Sequence, residues 1–211
     1  MSPTSTQRPT RKRMPRAQRE AQILTVAEQV FAERGYQATT MEDVAERVGV
    51  TKPLIYEYFG SKEGLLSACI VRARTELRDA TERSWAQVGS DAPLAEVFRA
   101  GVLAFFEFMD EHATAFMLIQ QEGAVASQTS PLIESIRAQQ SSATARTLGR
   151  APGLGAVPEA VLAGYAEVVV GACERVAVWR TQQPAVSAQD ATDLVVSVVW
   201  DGLDALLPRP G

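Results

Sequence analysis

An all-α fold is expected on three grounds. Apolar residues recur at three- and four-residue steps through most of the chain. No stretch alternates at the two-residue period of a half-buried strand, and no internal repeat marks a helical solenoid. The breaks between periodic runs fall at glycine, proline and short polar residues such as Gly35, Gly49 and Gly89-Ser90-Asp91.

Residues 1–14 are polar, interrupted by proline and without hydrophobic period, which predicts a disordered arm. Arg8, Arg11, Lys12 and Arg13 make it basic, suited either to phosphates or to solubility. A first helix is predicted from Arg16 to Arg34, with Ile23, Val26, Ala27, Val30 and Phe31 on one face and Gly35 ending it. Thr40 is a plausible N-cap for the second, with Asp43 three residues later as in a capping box. Met41, Val44, Ala45 and Val48 give that helix one apolar face, and Gly49 suits a left-handed cap. Thr51 can cap the third helix, which tolerates Pro53 in its first turn. There Ile55 and Phe59 share one face while Lys52 and Tyr56 share another. Two short helices meeting at a glycine, apolar inward and basic or phenolic outward, form a helix-turn-helix whose second helix fits a major groove.

Particular residues sharpen this reading. Val48-Gly49-Val50-Thr51, Leu54-Ile55-Tyr56-Glu57-Tyr58-Phe59 and Lys62-Glu63-Gly64-Leu65 resemble the DNA-binding domain of the TetR family of bacterial regulators, over roughly residues 16 to 66. Pro53 and Tyr58 depart from residues frequent in that family, which bears on the operator read. The resemblance implies a DNA-binding domain at residues 15–62 and an effector-binding and dimerisation domain at 63–211. Thr40, Tyr56, Tyr58 and Lys62 are expected to position phosphates, with Thr51 at the same surface. Lys52, Pro53 and Leu54 are expected in the groove, the lysine on guanine acceptors and the apolar pair on a thymine methyl.

Charge agrees with that polarity. The net charge is −4, yet residues 1–62 carry ten Lys/Arg against seven Asp/Glu, and residues 63–211 carry eleven against eighteen. Positive potential therefore gathers at the end expected to meet phosphate. No apolar run approaches the ~20 residues that span a bilayer, so no membrane partner is expected. The basic N-terminus lacks the apolar core of a secretory signal, and Cys69 and Cys173 stand isolated, so a cytoplasmic location follows by elimination.

Behind the motif, Ser61 can cap a long fourth helix running to about Trp85, with Lys62 in its first turn beside free amides. Further helices are expected from about Asp91 to Phe108, His112 to Gln121, Pro131 to Leu148, Pro158 to Arg180 and Ala188 to Leu207. Phe105, Phe106 and Phe108 cannot share one helical face, so their helix is either deeply buried or lines a cavity. The resemblance favours a cavity, implying a pocket at Phe98, Phe105, Phe106, Phe116 and Met117 for a small apolar or aromatic effector. The last two helices carry apolar residues on more than one side. The resemblance implies that they pair with a second copy, through Gly164, Val168, Gly171, Trp179, Val195, Val199 and Leu203.

Nothing supports an enzyme. His112 has no companions at metal-ligand spacing, and no P-loop, GxGxxG motif or GxSxG elbow is present. No cofactor or metal is expected. The expectation is a ligand-responsive regulator, a repressor binding double-stranded DNA as a homodimer. The competing reading is a helical interaction scaffold without specific DNA binding, which predicts no steep salt dependence.

Overall fold

A computed structural model of the chain describes residues 14–89, 91–120, 131–150, 154 and 156–204. Its helices are α1 (Arg16–Ala38), α2 (Met41–Val48), α3 (Lys52–Phe59), α4 (Lys62–Val88), α5 (Leu94–Glu111), α6 (Ala113–Gln120), α7 (Pro131–Gly149), α8 (Glu159–Arg180) and α9 (Ala188–Asp204). No strand occurs among the described residues. The fold is all-α. The basic arm at residues 1–13 lies outside the described residues.

Local chemistry explains the boundaries of the first elements. Thr40 and Asp43 close a reciprocal capping box at the start of α2: Asp43 N donates to Thr40 Oγ1 (3.1 Å), and Thr40 N donates to Asp43 Oδ2 (2.9 Å). Gly49 ends α2 at φ 78°, ψ 38°, a left-handed conformation that costs an L-residue side chain about 1–2 kcal/mol. Ser61 Oγ accepts from Gly64 N at the start of α4 (3.0 Å). Gly35 breaks the helical path of α1 at φ 73°, ψ 166°, and helical turns resume beyond it to Ala38. Thr51 departs from expectation: it occupies the N-cap position of α3, but its side chain makes no cap hydrogen bond.

Two apolar clusters hold these helices. The first joins Ile23, Ala27, Val30 and Phe31 of α1 to Met41, Val44 and Val48 of α2, Ile55 of α3, and Leu65, Leu66, Cys69 and Ile70 of α4. Leu118 of α6, fully buried, completes it. The second joins Ala73 and Leu77 of α4 to Phe98, Val102, Phe105 and Phe106 of α5, Leu148 of α7, Val169 and Cys173 of α8, and Val195 of α9. Apolar packing thus changes over within α4, between Ile70 and Ala73, so one continuous helix belongs to both clusters. Arg74, 1% exposed, sits at the changeover. It donates to Gln140 Oε1 (3.2 Å) and Glu174 Oε1 (3.0 Å), tying α4 to α7 and α8. A buried guanidinium needs such partners, because desolvating it otherwise costs several kcal/mol.

Candidate nucleic-acid interface and inner chamber

The outward face of α3 follows from its inward one. Ile55 is fully buried in the first cluster, and Thr51, Lys52, Pro53 and Tyr56 are exposed on the other side, with Leu54 half-buried. Lys52 and Tyr56 therefore stand one turn apart on the solvent face. Lys52 Nζ is paired with Glu42 of α2 at 3.0 Å. The hydrogen bond to Glu42, then its charge, raises the lysine pKa, so the ammonium stays charged. An exposed pair of this kind holds weakly, so the lysine can exchange Glu42 for another acceptor. Thr40 remains exposed, although its hydroxyl also donates to Asp43 Oδ2 (2.7 Å). Hydrogen bonds from the Thr40 hydroxyl and amide, followed by Arg34, hold the Asp43 carboxyl below its usual range. Tyr58 is half-buried, with the Arg16 guanidinium 4.7 Å above its ring, so α1 brings a cation beside α3 that sequence spacing alone conceals.

Lys62 departs from its expected geometry. Its ammonium points into the protein, donating to the Tyr36 carbonyl (2.9 Å) and the Thr39 carbonyl (3.0 Å), and lies 4.3 Å from the Tyr36 ring centroid. The Tyr36 hydroxyl in turn donates to Glu63. Burial, then the Glu63 hydrogen bond and charge, push the Tyr36 phenol up to about 12. These contacts bind the α1–α2 turn to the start of α4, just behind the reading helices.

An inner chamber of about 50 Å³ lies within the second cluster. Phe98, Gly101, Val102 and Phe105 of α5 line it, facing Trp85 of α4, Gln140 and Thr144 of α7, and Cys173 of α8. Of the expected pocket residues, Phe98 and Phe105 meet there. Phe106 does not line the chamber: fully buried, it stands edge-on to Phe105, with centroids 5.3 Å apart, and carries Arg180 over its ring. Met117 is 46% exposed and away from the chamber, because α6 turns Leu118 rather than Met117 into the protein. The Phe116 side chain lies outside those described. Burial pushes the Cys173 thiol up to about 12 and the Cys69 thiol well above its usual value, so both remain protonated and unreactive near neutrality. His112 caps α5 through its backbone amide, which donates to the Phe108 carbonyl, and its ring lies against Phe108.

Comparison with known proteins agrees with this architecture. The family model described as bacterial regulatory proteins of the tetR family matches residues 23–69. The one described as the tetracyclin repressor-like C-terminal domain matches residues 94–202, more than half of the chain. The chain belongs to the TetR family of bacterial regulatory proteins. That membership places it among bacterial regulatory proteins. The HTH-type transcriptional activator FasR of Mycolicibacterium smegmatis is 35% identical over 107 residues, 51% of this chain and 48% of that protein. The HTH-type transcriptional regulator BetI of Burkholderia thailandensis is 37% identical over 89 residues, 42% of this chain and 45% of that protein. The chain thus spans about half the length of the curated relatives it matches. A crystal structure of a TetR-like transcriptional regulator from Rhodococcus sp. RHA1 superposes with a TM-score of 0.66 at 29% identity, covering 91% of this chain and 99% of that one.

In this TetR-family chain, α8 and α9 leave apolar residues on the surface. Val168 is 59% exposed and Val198 73%, and Val161, Trp179 and Leu194 are exposed as well. Gly164 and Gly171 face outward on α8, and a Cβ built on either meets nothing within 4 Å. Val195 departs from its expected place at an interface: it is buried in the second cluster, and Val199 packs against that cluster half-buried. Leu203 has a side chain outside those described. The outward positions of α9 are Leu194 and Val198, each one residue before an inward one, Val195 and Val199.

Proposed function

We propose that two copies of this chain bind an inverted-repeat operator as a repressor and release it when a small effector enters the chamber between α4, α5, α7 and α8. The carrying observation is α4 itself, whose first half packs with the reading helices and whose second half carries Trp85 into the chamber wall. A rigid helix common to both ends converts a displacement at the chamber into a changed position of α3. Leu118 of α6, seated in the first cluster, gives the effector-binding half a second hold on the DNA-binding half. The outward apolar stripe of Val161, Val168 and Trp179 on α8, with Leu194 and Val198 on α9, supports pairing with a second copy. Gly164 and Gly171 let a second backbone come close along the same stripe.

The DNA contacts divide by chemistry. Lys52, Pro53 and Leu54 enter the groove, while Thr40, Thr51, Tyr56 and Tyr58 position phosphates with help from Arg16. No helix among the described residues is long and apolar enough to cross a membrane, in keeping with a regulator acting in the cytoplasm. The related FasR is an activator by its description, which favours a second reading of the sign. The same dimer activates where its operator lies upstream of a promoter rather than across it.

Selecting bound fragments from genomic DNA tests the proposal. Inverted repeats should emerge, with half-site centres about one helical turn (~34–36 Å) or a multiple apart. Binding should weaken steeply with salt as phosphate contacts release counterions. Recovery of unrelated sequences with no symmetry would sink it in favour of a helical scaffold.

A further inference from the structure

The chamber of about 50 Å³ has room for only a few water-sized groups. An effector larger than that must extend beyond it. Immediately outside lies a cleft of about 600 Å³, and Trp85, Leu94, Val97, Ala143 and Thr147 line both spaces. Trp85 is the partition. Its indole is seated against the backbone of α5, where a Cβ added to Gly101 would come within 2.3 Å of the indole Nε1. Inside the partition the walls are mostly apolar, with Val102, Phe105 and Leu148 among them.

Outside it the chemistry changes. Arg146 in the last turn of α7 and Arg150 just beyond it line the cleft one helical turn apart, together with Glu82. Among the described residues neither arginine makes an ion pair or a side-chain hydrogen bond. Arg78, which borders the chamber, is already engaged: it donates to Asp79 Oδ1 (2.7 Å) and Gln139 Oε1 (3.0 Å). Glu82 and the roughly half-unit negative charge at the C-terminus of α7 offset only part of the two guanidiniums. Forked donors of this kind recognise carboxylate or phosphate oxygens.

We infer that chamber and cleft form one two-part site for an amphipathic organic anion, its apolar chain past Trp85 and its carboxylate or phosphate on Arg146 and Arg150. The inference rests on the effector-responsive reading above and replaces a purely apolar effector with an anionic one. Direct titration calorimetry of the full chain tests it, using octyl phosphate, octanoate, octanol and octyltrimethylammonium as probes. At least one of the two anions should bind roughly tenfold or more tighter than octanol, with the cation weakest. Which anion binds tighter identifies the head group. Replacing both arginines (R146Q with R150Q) should erase that advantage and leave octanol unchanged. Both side chains are exposed, and unchanged helicity and thermal midpoint would show that the double variant remains folded. Extending butyl to hexyl phosphate should raise affinity roughly two- to fourfold per methylene.

Equal affinities for the anions and octanol, unaffected by the double variant, would overturn the anionic head while leaving an apolar effector pocket standing. Affinity independent of chain length would reduce the site to a surface anion contact and overturn the two-part arrangement. Absence of binding by every probe would overturn the inference and the effector chamber together.

Discussion

Lys52 and Lys62 lie ten residues apart in the same motif, yet their surroundings differ sharply. Among the described residues Lys52 is exposed and held only by Glu42, whereas Lys62 is locked on two carbonyls and the Tyr36 ring. K62M should therefore lower stability by about 1–3 kcal/mol in urea unfolding, since two buried carbonyls lose a charged donor. Any effect of K62M on operator affinity should be the same on every sequence. K52A should leave stability near the wild type and change preference among operators, and Tyr56→Phe should weaken all sites alike. Unchanged stability in K62M would return Lys62 to the DNA surface.

Glu28 adds a pH dependence at the same scale. Desolvation raises its carboxyl from an ordinary 4.5 to about 7, although Arg72 (3.5 Å) opposes the shift. The folded state then takes up this proton at higher pH than the unfolded chain. Its stabilising effect is complete below about 4.5 and is lost as pH rises through about 7. Measured against E28Q, the wild type should lose stability between pH 5 and pH 8. A stability difference that stays constant over that range would mean the carboxyl is solvated after all.

At the scale of elements, the short helices were legible and the long-range contacts were not. The capping box of α2, the left-handed Gly49 and the Ser61 cap of α4 involve residues within a few positions of one another, so spacing reveals them. The carbonyls that hold Lys62 lie 23 and 26 residues away, where no periodicity reaches. The chamber was half legible, since aromatic density marked Phe98 and Phe105 on α5. The contribution of α7 was hidden, because its inward face mixes Gln140, Thr144 and Thr147 with Ala143 and Leu148. Thr144 and Thr147 satisfy their hydroxyls on carbonyls one turn back, at Gln140 and Ala143, which lets them face a cavity that pattern reading reserves for apolar residues. Helix α6 was misjudged for a related reason: an eight-residue helix that is mostly apolar gives no clear face, and burial selected Leu118 over Met117. L118A should cost roughly 2–5 kcal/mol, the usual range for emptying a filled core site. If α6 couples the two clusters, this variant should also lose effector-induced release of operator while still binding effector. Full effector response in L118A would leave α4 as the sole connection.

For the whole molecule, the apolar stripe and the chamber meet on α8, which sends Val169 and Cys173 inward and Val168 outward. An exposed row of Val161, Val168 and Trp179 beside Leu194 and Val198 is costly in water, and the proposed pairing of two copies would cover it. V168E or W179D would bury a charge without a partner in that seam. Each should shift sedimentation from dimer to monomer and weaken operator binding, because one half-site then binds without the other. Helicity should persist, since neither position belongs to the buried core. A dimer of unchanged stability and operator affinity in both variants would move the interface elsewhere. If effector lowers operator affinity by some factor, operator must lower effector affinity by that same factor, whichever element transmits it. Titrating a chamber-binding compound with and without saturating operator measures the factor from one side, and titrating operator with and without the compound measures it from the other. Agreement between the two is required by linkage. The value itself carries the prediction: it should exceed about fivefold in the wild type and fall towards one in L118A. A factor of one in the wild type would mean the chamber binds compounds without controlling DNA.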